Sequence, residues 1–182
     1  NVGVAQNLED VVRSFKSAIE QIGDKNLIKL HIVGGGVRLD DIKKLVKELG
    51  IEDSVKFYGQ RPHEEMPDFY KIADACIVSL KADNMIGLTF PAKVQGYMAA
   101  KKPVLGMIDG SCKKVINEAS CGICVSAGDI KGFSDAIVKF SMEKDKWTEY
   151  GINSKNYFLK HFRKDIHVKA IEEELKRCIK DV

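Results

Sequence analysis

The chain has 182 residues, 45% hydrophobic and 30% charged, which is enough apolar side chain for one domain-sized core. Its net charge of +3 is scattered and forms no basic stripe, so dedicated nucleic-acid binding is disfavoured. No apolar run reaches the ~18 residues of a membrane span, no signal-peptide pattern opens the chain, and five cysteines, an odd number, do not suit a secreted disulfide framework; the expectation is a soluble, cytoplasmic domain.

The opening "NVGVAQNLEDVV" reads as the loop and helix that normally follow a strand, so the chain is expected to start just after one. Residues 7–22 set Leu8, Val11, Val12, Phe15, Ala18, Ile19 and Ile22 at helical spacing, with Asn7 as the expected cap. Then come "LIKLHIVGG", a strand ending in glycines, and "RLDDIKKLVKELG", a helix with a terminal glycine. The pattern repeats through "SVKFYG", "HEEMPDFYKIA", "ACIVSL", "PAKVQGYMAAK", "KPVLGMI", "CKKVINEAS", "GICVS" and "IKGFSDAIVKF". Strand and helix alternate throughout.

The strands "ACIVSL" and "PVLGMI" are apolar on both faces, as in a parallel sheet covered by helices on either side. The fold class expected is therefore α/β, a doubly wound parallel sheet, with C-terminal helices. Residues 1–182 are read as a single domain, with the sheet core in 1–141 and a helical extension in 142–182. In that extension Tyr157, Phe158, Lys160, His161, Phe162, Arg163 and Lys164 could form a basic and aromatic face for peripheral membrane contact. The preferred reading is ordinary: Val168, Ile171, Leu175 and Ile179 continue an apolar side that packs on the protein.

Ligands of open parallel sheets bind beyond the carboxyl ends of the strands. Here those loops are Gly34–Gly36, Gly59–Pro62, Ser79–Phe90 and Gly106–Ser111. A dinucleotide fingerprint starting at Gly34 fails, because Leu39 stands where its last glycine belongs, and no P-loop is present. The histidines His31, His63, His161 and His167 are dispersed, and His31 reads as a satisfied core residue. Cys121 and Cys124 form a C-x-x-C, but no second pair follows at metal spacing, so both read as small apolar residues.

The stretch "LTFPAKVQGYMAAKKPVLG" raises the question of an anion site. Pro91 suits the first turn of a helix, whose free N–H groups at Ala92 and Lys93 lie beside the lysine charge. That arrangement could cradle a diphosphate; a solvated lysine on an exposed turn is the alternative.

Taken in order, "NVGVAQNLEDVV", "LHIVGGG", "VKFYGQRPHEEMPDFYKIADACIVSL", "LTFPAKVQGYMAAKKPVLGMIDG" and "CGICVSAGD" resemble the C-terminal, donor-binding half of a GT-B glycosyltransferase. Within that fold the resemblance is to the retaining family 4, and to bacterial enzymes that build surface polysaccharides. It implies a Rossmann-like domain holding a nucleotide diphosphate sugar, UDP-linked and of N-acetylhexosamine type, opposite an N-terminal acceptor domain absent from this sequence. The resemblance further implies retention of configuration without a metal, no separate cofactor, and transfer to a polysaccharide or lipid-linked acceptor; this half alone would be inactive.

By the same resemblance, Gly59, Gln60 and Arg61 approach the base, with Met66 nearby. Leu88, Thr89 and Lys93 face the diphosphate, and Gly3 lets the first loop come close. Two glutamates usual in the family are replaced by Leu88 and Gly96, leaving Gln95 to reach the ribose. A basic pair usual in the first loop is replaced by Val4 and Ala5, leaving Lys93, Lys81 or Arg61 to neutralise the phosphates. Catalytic residues are unassigned. A nucleotide-sugar 2-epimerase and a non-catalytic binding module remain as alternatives.

Overall fold

The computed structural model describes residues 1–82 and 89–180. The first helix, α1 (Leu8–Ile22), buries Val11, Val12, Phe15, Ala18 and Ile19 along one stripe and ends at Gly23, whose N–H donates to the Ile19 carbonyl at 3.0 Å. Asn7 does not cap it as expected. The residue is left-handed (φ 47°) with no cap bond, and its side-chain amide donates to Asp10 instead.

Strand β1 (Leu30–Val33) is followed by α2 (Leu39–Glu48), β2 (Val55–Gly59) and α3 (Met66–Ile72). Next come β3 (Cys76–Ser79), α4 (Lys93–Ala99), β4 (Val104–Met107), α5 (Gly110–Glu118), β5 (Gly122–Val125) and α6 (Ile130–Met142). Two helices close the chain, α7 (Asp145–His161) and α8 (Lys164–Lys180). The fourth strand runs through Gly106, so the loop expected from that glycine begins only after Met107.

Among the described residues all strand pairing is parallel and forms two ladders, β1–β2 and β3–β4–β5. Alternate residues of β4 show why the strand is apolar throughout. Leu105 and Met107 enter a core formed with α1, α2 and α6, whereas Val104, and Ile108 just past the strand, enter a second core with Val94, Met98 and Ile116 from α4 and α5. Burying each such side chain is worth roughly 1.5–3 kcal/mol, so β4 is held from both faces.

Pro91 stands ahead of α4 rather than in its first turn. Val94 N–H donates to the Pro91 carbonyl at 3.0 Å and Gln95 N–H to the Ala92 carbonyl at 3.1 Å, so a tight turn precedes the regular helix. Helix α7 anchors this region from below: the Ser154 hydroxyl donates to the Lys102 carbonyl at 2.7 Å, and the Lys155 ammonium to the Ala99 carbonyl at 2.9 Å.

In the C-terminal extension Tyr157, Phe158 and Phe162 pack on the second core, as the ordinary reading expected. The continuation does not. Val168, Ile171 and Leu175 are 44–60% exposed on α8, because no other element reaches that side among the described residues; the side chain of Ile179 lies outside them. No described helix is long and apolar enough to cross a membrane.

Candidate functional site

The carboxyl ends of the strands open on one rim, and residues 1–7 cross it as a loop tied on both sides. Toward β1, Val2 N–H donates to the Gly35 carbonyl at 2.9 Å and accepts in return, through its own carbonyl, the Arg38 N–H at 3.1 Å. Toward β3, Lys81 N–H donates to the Ala5 carbonyl at 2.9 Å and the Ser79 hydroxyl donates to the Gln6 carbonyl. The Gly3 N–H closes the loop by donating to Gln6 Oε1 at 3.0 Å.

The glycine run after β1 is required by this loop. Gly36 has φ 150°, and a Cβ there would sit 2.5 Å from the Val2 carbonyl oxygen. No larger residue allows Val2 to lie so close.

Arg38, at the start of α2, was not singled out from the sequence. Its guanidinium donates through Nε to Glu9 Oε1 at 2.9 Å, donates again through Nη2, and pairs with Asp41 at 3.0 Å. Burial pushes the Glu9 carboxyl up, but Arg38 outweighs it and holds the group below the usual carboxylate range. The signal in the sequence was an acidic first turn in α1 and an arginine heading α2, which only the packing of the two helices brings together.

Lys93 is the first residue of α4 and is half-buried. Loss of solvent pushes its ammonium below the ordinary lysine range, and the Cys112 thiol nearby acts in the opposite direction. The Asn1 amino group is also pushed down, first by burial and then by the charge of Lys93. Among the described residues no carboxylate pairs with Lys93. A desolvated ammonium with no carboxylate partner among the described residues is electrostatically prepared for an anion.

The other predicted positions divide. Gly3, Lys81 and Lys93 gather around the first loop. Gly59 joins them through its carbonyl, which accepts the Gly34 N–H at 2.8 Å, and the exposed Gln60 lies against Gly35. Arg61 does not join. Its Nε donates to the Tyr58 carbonyl at 3.0 Å and its guanidinium lies 3.9 Å from Glu65, within its own turn. Gln95 is half-buried in the first turn of α4, Thr89 is exposed, and Leu88 lies outside the described residues. At Gly96, a Cβ would meet the Tyr70 hydroxyl at 3.3 Å, so Tyr70 fills the space over that position.

Two further expectations are settled by position. His31 is not a core residue: it is exposed on β1, where its Nδ1 is 2.7 Å from the Tyr58 hydroxyl and its ring stacks on Tyr58 at 5.5 Å. It lies on the face of β1 opposite the buried Leu30 and Ile32. The C-x-x-C cysteines are structural. Burial pushes the Cys121 and Cys124 thiols up to about 11, which disfavours the thiolate that redox or metal chemistry needs.

The sequence profile of the family described as "Glycosyl transferases group 1" matches residues 3–157. The chain belongs to the group 1 glycosyltransferase family. Among curated relatives of this glycosyltransferase chain, N-acetyl-alpha-D-glucosaminyl L-malate synthase of Bacillus anthracis is 24% identical, the match covering 94% of this chain and 42% of the relative. A GDP-mannose-dependent phosphatidylinositol monomannoside mannosyltransferase of Mycobacterium tuberculosis is 23% identical, over 75% of this chain and 36% of the relative. The glycosyltransferase chain thus spans less than half the length of these relatives. Among solved structures, Anabaena HepE in complex with UDP and glucose superposes with a TM-score of 0.77 at 18% identity, covering 94% of this chain and 45% of HepE. The C-terminal domain of LpcC, a group 1 family protein of Francisella tularensis, superposes with a TM-score of 0.73 at 16% identity, covering 88% of this chain and 81% of that domain. These likenesses establish the GT-B glycosyltransferase fold expected from the sequence.

Proposed function

We propose that residues 1–182 form the donor-binding domain of a glycosyltransferase, which takes a sugar of N-acetylhexosamine type from UDP and passes it to a polysaccharide or lipid-linked acceptor held by another domain of the protein. The observation that carries this reading is Lys93: a half-buried ammonium without a carboxylate partner among the described residues, beside the first loop and the opening of α4. HepE supports the uridine carrier, being solved with UDP and glucose, and the Bacillus anthracis relative is named for an N-acetylglucosaminyl group. The Mycobacterium tuberculosis relative is named for GDP-mannose, so guanosine is the carrier to be compared.

Chemically, charge grows on the leaving diphosphate as the anomeric bond lengthens. In this reading the Lys93 ammonium receives that charge without a metal ion, and the sugar is transferred with retention. Gly3, Lys81 and Thr89 border the phosphates, Gly59 and Gln60 the base, and Gln95 the ribose. Arg61 has a lesser part, since its guanidinium is engaged in its own turn.

Calorimetric titration of the chain with UDP, GDP and ADP tests this. UDP should bind best, and Lys93→Ala should weaken it at least about tenfold, as expected for loss of a charge-assisted contact. Equal affinity in the variant would remove Lys93 from the site. For the longer protein, product analysis separates transfer from 2-epimerisation, which needs no acceptor.

A further inference from the structure

One side chain of the first loop is fixed at one end and open at the other. The Gln6 carboxamide turns back on its own loop, where Oε1 accepts the Gly3 N–H at 3.0 Å. The contact is close, since a Cβ on Gly3 would stand 2.7 Å from that oxygen. A backbone N–H needs an acceptor, so the bond decides which end of the carboxamide meets Gly3 and turns the Nε2 amino group away from it. Among the described residues nothing accepts from Nε2, and the group is reached by solvent although Gln6 is half-buried.

The residue is also held by its backbone. Its carbonyl accepts the Ser79 hydroxyl at the end of β3, and the Ala5 carbonyl before it accepts the Lys81 N–H at 2.9 Å. Asn1 links this corner to Lys93. Its side-chain amide atoms lie 3.9 Å from the same point beside Gly3, and its amino group feels the Lys93 charge. The Gln6 carboxamide and the Lys93 ammonium are thus both neighbours of Asn1 and share one stretch of the rim.

We propose that Gln6 is a diphosphate-binding residue, whose Nε2 donates to an oxygen of the nucleoside diphosphate met by Lys93. This rests on the donor-binding reading and adds to it a neutral, directed contact. The two groups supply different things. An ammonium is a compact charge on a flexible stem, whereas a carboxamide locked at one end donates along fixed lines. Because Gly3 already orders the side chain, little freedom is left to lose when the ligand arrives.

A residue that only braced the loop would need only its oxygen. Gln6→Glu separates the two roles, because a glutamate can still reach back three residues to accept the Gly3 N–H but has no amino group to donate.

The test uses the full-length natural protein and whichever of UDP, GDP and ADP it binds best by calorimetry. Gln6→Glu should unfold at the temperature of the unsubstituted protein and bind that diphosphate at least about tenfold more weakly, as expected for loss of a hydrogen bond to a charged group. A new carboxylate also repels phosphate through space, so the contact itself is read by NMR. The side-chain amide signal of Gln6, identified by its loss in Gln6→Met, should shift on saturation with the diphosphate and stay in place with the corresponding nucleoside. If Gln6→Glu unfolds early, that signal decides alone. A signal unmoved at saturation, a shift that the nucleoside reproduces in full, or undiminished binding by a stable Gln6→Glu overturns this inference and leaves the donor-binding reading standing. Failure of all three diphosphates to bind the unsubstituted protein overturns both.

Discussion

Gly36 lies beneath Val2 so closely that a Cβ on the glycine would stand 2.5 Å from the Val2 carbonyl oxygen. The carbonyl is fixed in place, since it also accepts the Arg38 N–H at 3.1 Å. Gly36→Ala therefore combines a backbone clash with a φ of 150° that side chains rarely adopt, and should cost about 1–3 kcal/mol. Gly23→Ala provides the comparison: φ is 77°, but nothing lies within 4 Å of the added carbon. Urea unfolding should show the larger loss for Gly36→Ala. Equal losses would mean that the first loop does not press on the glycine turn in solution.

Helix α7 holds the turn from α4 to β4 by polar contacts at buried positions. The Ser154 hydroxyl is fully buried and donates to the Lys102 carbonyl at 2.7 Å, and a Cβ at Gly151 would lie 2.6 Å from the Lys101 carbonyl oxygen. Ser154→Ala leaves that carbonyl short of a donor and should cost about 1–3 kcal/mol; Gly151→Ala should push α7 away from the turn as well. Thermal unfolding measures the first effect. The second is checked by crystallography of Gly151→Ala, where an unmoved helix would contradict the contact.

How far the sequence could be read depended on the range of the interaction. The strands were legible because apolar runs such as "ACIVSL" and "PVLGMI" sit between glycine, proline and charged residues, and burial on both faces leaves no polar alternation to confuse them. The helix starts were read less well. Asn7 has the side chain of a cap, but its backbone is left-handed and its amide donates to Asp10 instead. Lys93 stood out because its charge lies beside a proline turn. Arg38 did not, since its partner Glu9 is 29 residues away and meets it only when α1 and α2 pack. His31 was misread for the same reason: strand membership shows in the sequence, but which face of β1 is covered does not.

The cysteines offer a test of packing. Burial pushes the Cys76 and Cys112 thiols up to about 12 and those of Cys121 and Cys124 up to about 11. Cys178 is exposed on α8. At pH 8 a thiol with a pKa near 12 is ionised to about one part in ten thousand, so a disulfide reagent should titrate one thiol quickly and the other four only on unfolding. Rapid reaction of two or more thiols in the native chain would show that the second core opens readily around α5 and β5.

If Lys93 meets a diphosphate as proposed, binding depends on pH in a defined direction. Its burial lowers the folded-state pKa, so between that value and the unfolded one the unfolded chain holds more protons, and stability rises with pH through the window. A bound diphosphate acts oppositely, because its negative charge favours the ammonium and draws the pKa back up. Binding should then take up a proton within that window, and affinity should fall as pH rises through it. Calorimetry in two buffers of different ionisation enthalpy measures the uptake directly. Lys93→Arg keeps its charge across the whole range and should bind UDP with little of this proton uptake, while Lys93→Ala should lose both the uptake and most of the affinity. Undiminished proton uptake in Lys93→Ala would assign the titration to another group and leave the rim's anion affinity to its backbone amides.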